Sequence, residues 1–145
     1  MSNVQLEIRS PKNVIEIATF GDICGIVGVP PLLASMDGEK IRGLMALSQE
    51  VVIGGITYAV HLSNGNGIGK TASIDALAVH PDYQGRGAGK NLISSLLTTL
   101  KQEGVVEVTA VPLGTSKDFY DKCGFFPDYA CVPVYMIKLL EHGSV

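Results

Sequence analysis

A glycine-rich link between an extended run and an amphipathic one governs what this chain can fold into. From Gln84 to Lys90 it reads Gln-Gly-Arg-Gly-Ala-Gly-Lys. Before it, Ser73 to Val79 is a run of small and β-branched residues and reads as a strand. After it, Leu92, Ile93, Leu96, Leu97 and Leu100 fall on one face of a helix over Asn91–Glu103, with Gly104 as its stop. Glycines at alternate positions let the backbone take positive φ and approach a ligand with no Cβ in the way. The first N–H groups of the helix lack intrahelical partners and carry the positive end of its dipole. Strand, loop and helix therefore predict an anion site, with Arg86 and Lys90 as added cations.

Two common phosphate loops do not fit. In the dinucleotide pattern GxGxxG the third glycine would fall on Lys90, and the P-loop pattern would need Gly at Gln84 and Ser or Thr at Asn91. The loop instead resembles the Q/R-x-x-G-x-G/A signature of the GNAT superfamily of N-acetyltransferases, through Gln84, Gly87 and Gly89. A second block, Phe119-Tyr120-Asp121-Lys122-Cys123-Gly124-Phe125, looks like that family's FYxKxGF. The resemblance runs from about Ser73 to Leu139 and is thin before that. It implies an α/β fold, also classed α+β, with a mixed, mostly antiparallel sheet and helices on both faces. It also implies acetyl-coenzyme A as cofactor. Gln84, Gly85, Arg86, Gly87, Ala88, Gly89 and Lys90 would hold its pyrophosphate, and main-chain groups of Leu77, Ala78 and Val79 its pantetheine arm.

Composition narrows the alternatives. The length of 145 residues predicts a single domain over 1–145, and 46% hydrophobic with 17% charged residues is globular. A net charge of −3 argues against a nucleic-acid partner. No apolar run is long enough to cross a membrane, and residues 1–20 show no signal peptide. Cys24, Cys123 and Cys131 are odd in number and irregularly spaced, which predicts reduced thiols in a cytoplasmic protein, with the nucleus as the alternative. No Cys-x-x-Cys is present and no metal site is expected.

In chain order, Val4–Arg9 reads as a first strand, and Ser10-Pro11 as a helix start leading into Lys12–Val27. Ile15, Ile17, Phe20, Ile23 and Ile26 would be its apolar side, and Gly28 its end. Leu32–Met45 reads as a short helix passing into a strand. Val51–Leu62 is a strand whose Gly54-Gly55 suggests a bulge or a close backbone approach. Asn64–Gly67 signals a hairpin turn. Val105–Val111 is a strand, Thr115 or Ser116 caps a short helix ending at Gly124, and Val132–Leu140 is a last strand near a sheet edge. Such an edge, rich in apolar residues, predicts a homodimer.

Acetyl transfer to an amine needs a neutral nucleophile, a stabilised thioester oxygen and a proton or hydrogen bond for the leaving thiolate. By resemblance Tyr120 serves the last need; its structural alternative is an amphipathic core residue. Asp75 is the one acid on its strand and is a candidate base, with cation binding or a structural hydrogen bond as alternatives. Related histone acetyltransferases often carry Glu where Ser73 stands, and many members carry Asn or Asp near Leu113, so a polar contact there would fall to Ser116. Cys123 reads as core, His80 as shaping a turn, and His61 and His142 carry no signal. The acceptor expected is a small-molecule amine such as an amino sugar, polyamine or amino acid derivative. The competing readings are a protein lysine or N-terminal acceptor and a non-catalytic acyl-coenzyme A-binding module.

Overall fold

The computed structural model describes residues 6–29, 42–61, 70–110, 116–128 and 134–139. The strands are β1 (Leu6–Arg9), β2 (Arg42–Ser48), β3 (Val51–His61), β4 (Lys70–Val79), β5 (Val105–Ala110), β6 (Phe126–Asp128) and β7 (Val134–Lys138). The helices are α1 (Val14–Val27), α2 (Ala88–Gln102) and α3 (Ser116–Lys122). The chain divides into two compact units, 1–58 with 75–96, and 59–74 with 97–145. The mixed sheet expected from the sequence is present: among the described pairings β1–β2, β2–β3, β5–β7 and β6–β7 are antiparallel and β4–β5 is parallel.

In the first unit β1, β2, β3 and the second half of β4 lie in that order. Strands β2 and β3 are joined by a two-residue turn, since Ser48 pairs with Val51. Gln49 and Glu50 both take positive φ, 51° and 69°, as a type I′ turn demands. Further along, Ala46 faces Gly54 but Leu47 faces Val52, so Ile53 is an extra, bulged residue. The close approach expected at the glycine pair is also there. A Cβ on Gly54 would lie 2.8 Å from the Ala78 carbonyl oxygen, and one on Gly55 2.9 Å from the Phe20 ring.

Helix α1 begins later than Ser10-Pro11 predicts. Asn13 is its N-cap, and its side chain accepts from the Glu16 N–H at 2.9 Å. Glu16 accepts in turn from the Lys12 N–H at 2.8 Å and from both terminal guanidinium nitrogens of Arg9 at 2.9 Å. Asn-x-x-Glu is thus the operative start signal. Gly28, at φ 79°, closes the helix as expected. Only part of the predicted stripe is inside. Phe20, Ile23 and Cys24 are buried and join Met45, Leu47, Val52, Ala76 and Ala78 in one cluster. Ile15 and Ile26 are 74% and 59% exposed, because the helix is apolar nearly all round and its pattern does not mark one face. Residues 30–41, where a second helix was read, and the 64–67 hairpin lie outside the described residues.

In the second unit the first half of β4, then β5, β7 and β6, are neighbours in that order. Strand β7 is paired on both sides, with β5 and with β6. The last strand therefore lies one strand in from an edge, near it as expected but covered by β6, and so offers no open edge from which to argue a homodimer. The edge strand is β6, which the sequence reading passed over: three residues with a proline at the centre give no period.

Helix α2 carries the expected stripe. Leu92, Ile93, Leu96 and Leu100 are buried, while Leu97 is half-buried. It starts three residues earlier than predicted, so Ala88, Gly89 and Lys90 form its first turn rather than the loop.

Candidate active site

Strand β4 alternates cleanly. Ala72, Ile74, Ala76 and Ala78 are buried, and Ser73, Asp75, Leu77 and Val79 are half-buried on the other face. Asp75 keeps the position the period assigned it, with one carboxylate oxygen fully enclosed. The parallel ladder with β5 stops at Ile74 opposite Ala110, and β4 runs on through Asp75–Val79.

The direction of the backbone groups over this stretch follows from one hydrogen bond. The His80 N–H donates to the Ile53 carbonyl at 2.8 Å, tying the end of β4 to the bulge in β3. Successive residues of a strand point their N–H groups to opposite edges. The N–H groups of Val79 and Leu77 therefore point away from β3, whereas that of Ala78 points toward it. This divides the sequence assignment: Leu77 and Val79 have main-chain donors turned to the edge that β5 pairs farther back, and Ala78 contributes packing.

From His80 the chain turns sharply. Its Nδ1 accepts from the Asp82 N–H at 3.1 Å and so caps a 3-10 turn over Pro81–Tyr83, the shaping role the sequence suggested. Gln84 then folds back, its Nε2 donating to the Val79 carbonyl at 2.9 Å. The motif glutamine thus braces the loop against the strand it leaves. Gly85 and Gly87 take φ of 81° and 86°, and nothing lies within 4 Å of a Cβ built on either. Ala88 is buried at the start of α2, and Asn91 N–H closes the first helical bond on the Gly87 carbonyl at 2.9 Å. Arg86 stacks on the Tyr83 ring, 5.6 Å from guanidinium carbon to centroid. The result is an exposed cradle of main-chain N–H groups at a helix N-terminus, with Arg86 and Lys90 beside it. Its glycines leave open space where a Cβ would stand, which fits a pyrophosphate at close approach.

Tyr120 and Ser116 belong to the second unit, on α3. Tyr120 is 5% exposed and packs edge-on against Phe119 and Phe125, with centroids at 5.5 and 5.2 Å. Burial pushes its phenol up, and Cys123 adds to the shift. The N–H groups of Cys123 and Phe125 both donate to the Tyr120 carbonyl at 3.0 Å, and Gly124 turns at φ 96°. The FYxKxGF block is thereby wound into a closed helix end. Leu113 lies outside the described residues. His61, which gave no signal, meets Ser73: Nε2 and Oγ are 3.0 Å apart across β3 and β4. Only strand pairing could have found that contact, because twelve residues separate the two. Among the described residues no cluster of three or more His, Cys, Asp or Glu could hold a metal, and no helix is long and apolar enough to cross a membrane.

Comparison with known proteins bears on the family and the fold. The sequence model of the Acetyltransferase (GNAT) family matches residues 15–125. Over 60 residues the chain is 37% identical to an uncharacterised N-acetyltransferase, ycf52, of Pyropia yezoensis, covering 41% of this chain and 34% of that one. The matched stretch thus spans about a third of that relative's length. Among solved structures, the alanine N-acetyltransferase of a ribosomal protein from Escherichia coli superposes with a TM-score of 0.73 at 20% identity, over 96% of this chain and 97% of that one. A GNAT-family N-acetyltransferase from Escherichia coli in complex with CoA, YhbS, gives 0.67 at 17% identity, over 97% and 84%.

Proposed function

The chain belongs to the GNAT acetyltransferase family, and from that premise we propose that it transfers an acetyl group from acetyl-coenzyme A to a primary amine by direct attack. The observation that carries this reading is the Gln84–Lys90 cradle, with two positive-φ glycines feeding the N-terminus of α2. Acetyl-coenzyme A, when bound, supplies the acyl group as an activated thioester. The main-chain N–H groups of the loop and of the first turn of α2 hold the pyrophosphate, with Arg86 and Lys90 adding charge. The outward N–H groups of Leu77 and Val79 would hold the pantetheine arm and would offer hydrogen bonds to a thioester carbonyl oxygen.

The amine must lose a proton. Asp75, half-buried on β4, is the group assigned to accept it, directly or through water. Tyr120 is assigned to the leaving sulfur. Its buried phenol stays protonated and donates a hydrogen bond. We read the acceptor as a small-molecule amine in the cytoplasm. A panel of free amines and peptides offered with acetyl-coenzyme A, read by thiol release, tests the proposal. Amine-dependent release that falls in Asp75→Asn and partly recovers at higher pH supports it. Coenzyme A binding with no release from any acceptor points to a binding module instead.

A further inference from the structure

Gly54 is buried in β3, and its φ lies outside the left-handed region, so its own backbone conformation does not call for glycine. What forbids a side chain there is β4. A Cβ on Gly54 would stand 2.8 Å from the Ala78 carbonyl oxygen, 3.1 Å from Val79 Cα and 3.2 Å from Val79 Cγ2. Cβ atoms point out of the plane of a sheet, whereas partner strands lie beside one another in it, about 4.7–4.9 Å apart. For the backbone of β4 to come so near, it must step out of that plane into the space Gly54 leaves empty. The bulged residue, Ile53, immediately precedes this point.

The peptide unit concerned is the one joining Ala78 to Val79. A trans peptide is planar, with its carbonyl and its N–H pointing in opposite directions. Its oxygen is turned toward Gly54, so its N–H, which belongs to Val79, is turned to the far edge of β4. The next peptide is held from both sides. The His80 N–H donates to the Ile53 carbonyl at 2.8 Å, and the Val79 carbonyl accepts from Gln84 Nε2 at 2.9 Å. Bulge, bare Cα and glutamine together fix two successive peptides, and with them the place at which the Val79 N–H is offered. We propose that Gly54 is a positioning residue for that donor: its missing side chain seats the Ala78–Val79 peptide so that the Val79 N–H meets the acyl-bearing arm of coenzyme A. The inference rests on the function proposed above. It also divides the ligand in two. The pyrophosphate is assigned to Gly85, Gly87 and the first turn of α2, beyond the peptide that Gly54 seats, whereas the arm depends on that peptide directly.

The probes are coenzyme A and ADP, which keeps the pyrophosphate and lacks the arm. Each is titrated calorimetrically into the full chain as wild type, Gly54→Ala and Gly55→Ala, with the amide NMR signals of Val79 and His80 followed alongside. Gly55 is the control. Its Cβ would meet Phe20 Cδ1 at 2.9 Å, Met45 Cε at 3.0 Å and the Leu44 carbonyl oxygen at 3.1 Å, so alanine there crowds α1 and β2 rather than β4. In the wild type, coenzyme A should shift the Val79 amide and ADP should leave it in place. Gly54→Ala should weaken coenzyme A roughly three- to tenfold, the scale of one hydrogen bond, and ADP hardly at all. Gly55→Ala should lower the melting temperature as well, but with the ratio of the two affinities unchanged. A ratio that stays put in Gly54→Ala, or that moves equally in both variants, reduces Gly54 to packing and overturns the role. The wild-type spectra decide the matter even where Gly54→Ala does not fold: a Val79 amide that bound coenzyme A leaves unmoved overturns the positioning role alone. Failure of the wild type to bind coenzyme A at all defeats the proposed function, and this inference with it.

Discussion

Replacing Gly87 separates what the cradle does for the fold from what it does for a ligand. Gly87 sits at φ 86°, and nothing lies within 4 Å of a Cβ built there. Alanine would therefore clash with no protein atom, and its penalty is the left-handed backbone alone, about 1–2 kcal/mol. Near 150 residues a loss of 1 kcal/mol lowers the melting temperature by about 2–4 °C, so Gly87→Ala should cost roughly 2–8 °C. Valine, branched at Cβ, sits at the upper end or beyond. The empty space matters more for binding. A methyl group there stands where a pyrophosphate must meet the main-chain N–H groups, each charge-assisted bond being worth about 1.5–3 kcal/mol. Loss of two such bonds would cut coenzyme A affinity by roughly a hundredfold or more. Differential scanning calorimetry and isothermal titration with coenzyme A read the two effects apart. A folded Gly87→Val protein with unchanged affinity for coenzyme A would refute the assignment of this loop.

Gly54→Ala should behave differently, because its Cβ would lie 2.8 Å from the Ala78 carbonyl and 3.1 Å from Val79 Cα. Backbone must move, so thermal unfolding should show about 1–3 kcal/mol of destabilisation and coenzyme A affinity should fall with it. Replacing Gln49-Glu50 by Asn-Gly should raise the melting temperature by about 2–4 °C, because the two φ angles, 51° and 69°, suit the new residues. The Arg9 guanidinium, with help from the Lys12 N–H, holds Glu16 down to about 2, below its ordinary 4.5. A lowered folded pKa stabilises above the unfolded value and is lost as pH falls through the folded one. Acid unfolding should therefore draw on this pair between pH 4.5 and about 2, and Glu16→Gln should flatten that limb. Tyr120→Phe should lower kcat by roughly ten- to a thousandfold with little change in the KM for acetyl-coenzyme A, in steady-state kinetics with the true acceptor.

The parts of this protein that could be read from sequence are those where one residue type has one physical use. Gly85 and Gly87 take φ angles that glycine reaches without penalty, and the leucines of α2 mark which face is inside. Helix α1 defeated the same method because apolar residues surround it. The expected start, Ser10-Pro11, was also three residues early: Asn13 caps the helix, and Glu16 completes its box. The Gln49-Glu50 turn carries no glycine and gave no sign. Strand β6 and the His61–Ser73 contact depend on pairing between distant segments, which local pattern cannot supply. Of the candidate site, the positive-φ glycines Gly85 and Gly87 were legible, whereas the start of α2 at Ala88 was not. The orientation of Leu77 and Val79 needed the His80–Ile53 hydrogen bond.

The burial of Tyr120 bears on how it would act. A free phenol has a pKa of about 10 and a thiol about 8.5, so full proton transfer from phenol to thiolate already runs uphill. Enclosure by Phe119 and Phe125, with Cys123 close by, pushes the phenol higher still and steepens that climb. A residue in this setting is poorly suited to deliver its proton outright. It is well suited to hold that proton across the whole working range and to present it as a hydrogen bond as charge gathers on sulfur. The pH profile distinguishes the two roles. A proton donor that ionised within reach of an assay would give a falling limb at high pH that disappears in Tyr120→Phe. A hydrogen-bond donor with a phenol this far raised gives no such limb, and Tyr120→Phe lowers the plateau at every pH alike. Any alkaline fall shared by the wild type and Tyr120→Phe then belongs to another group.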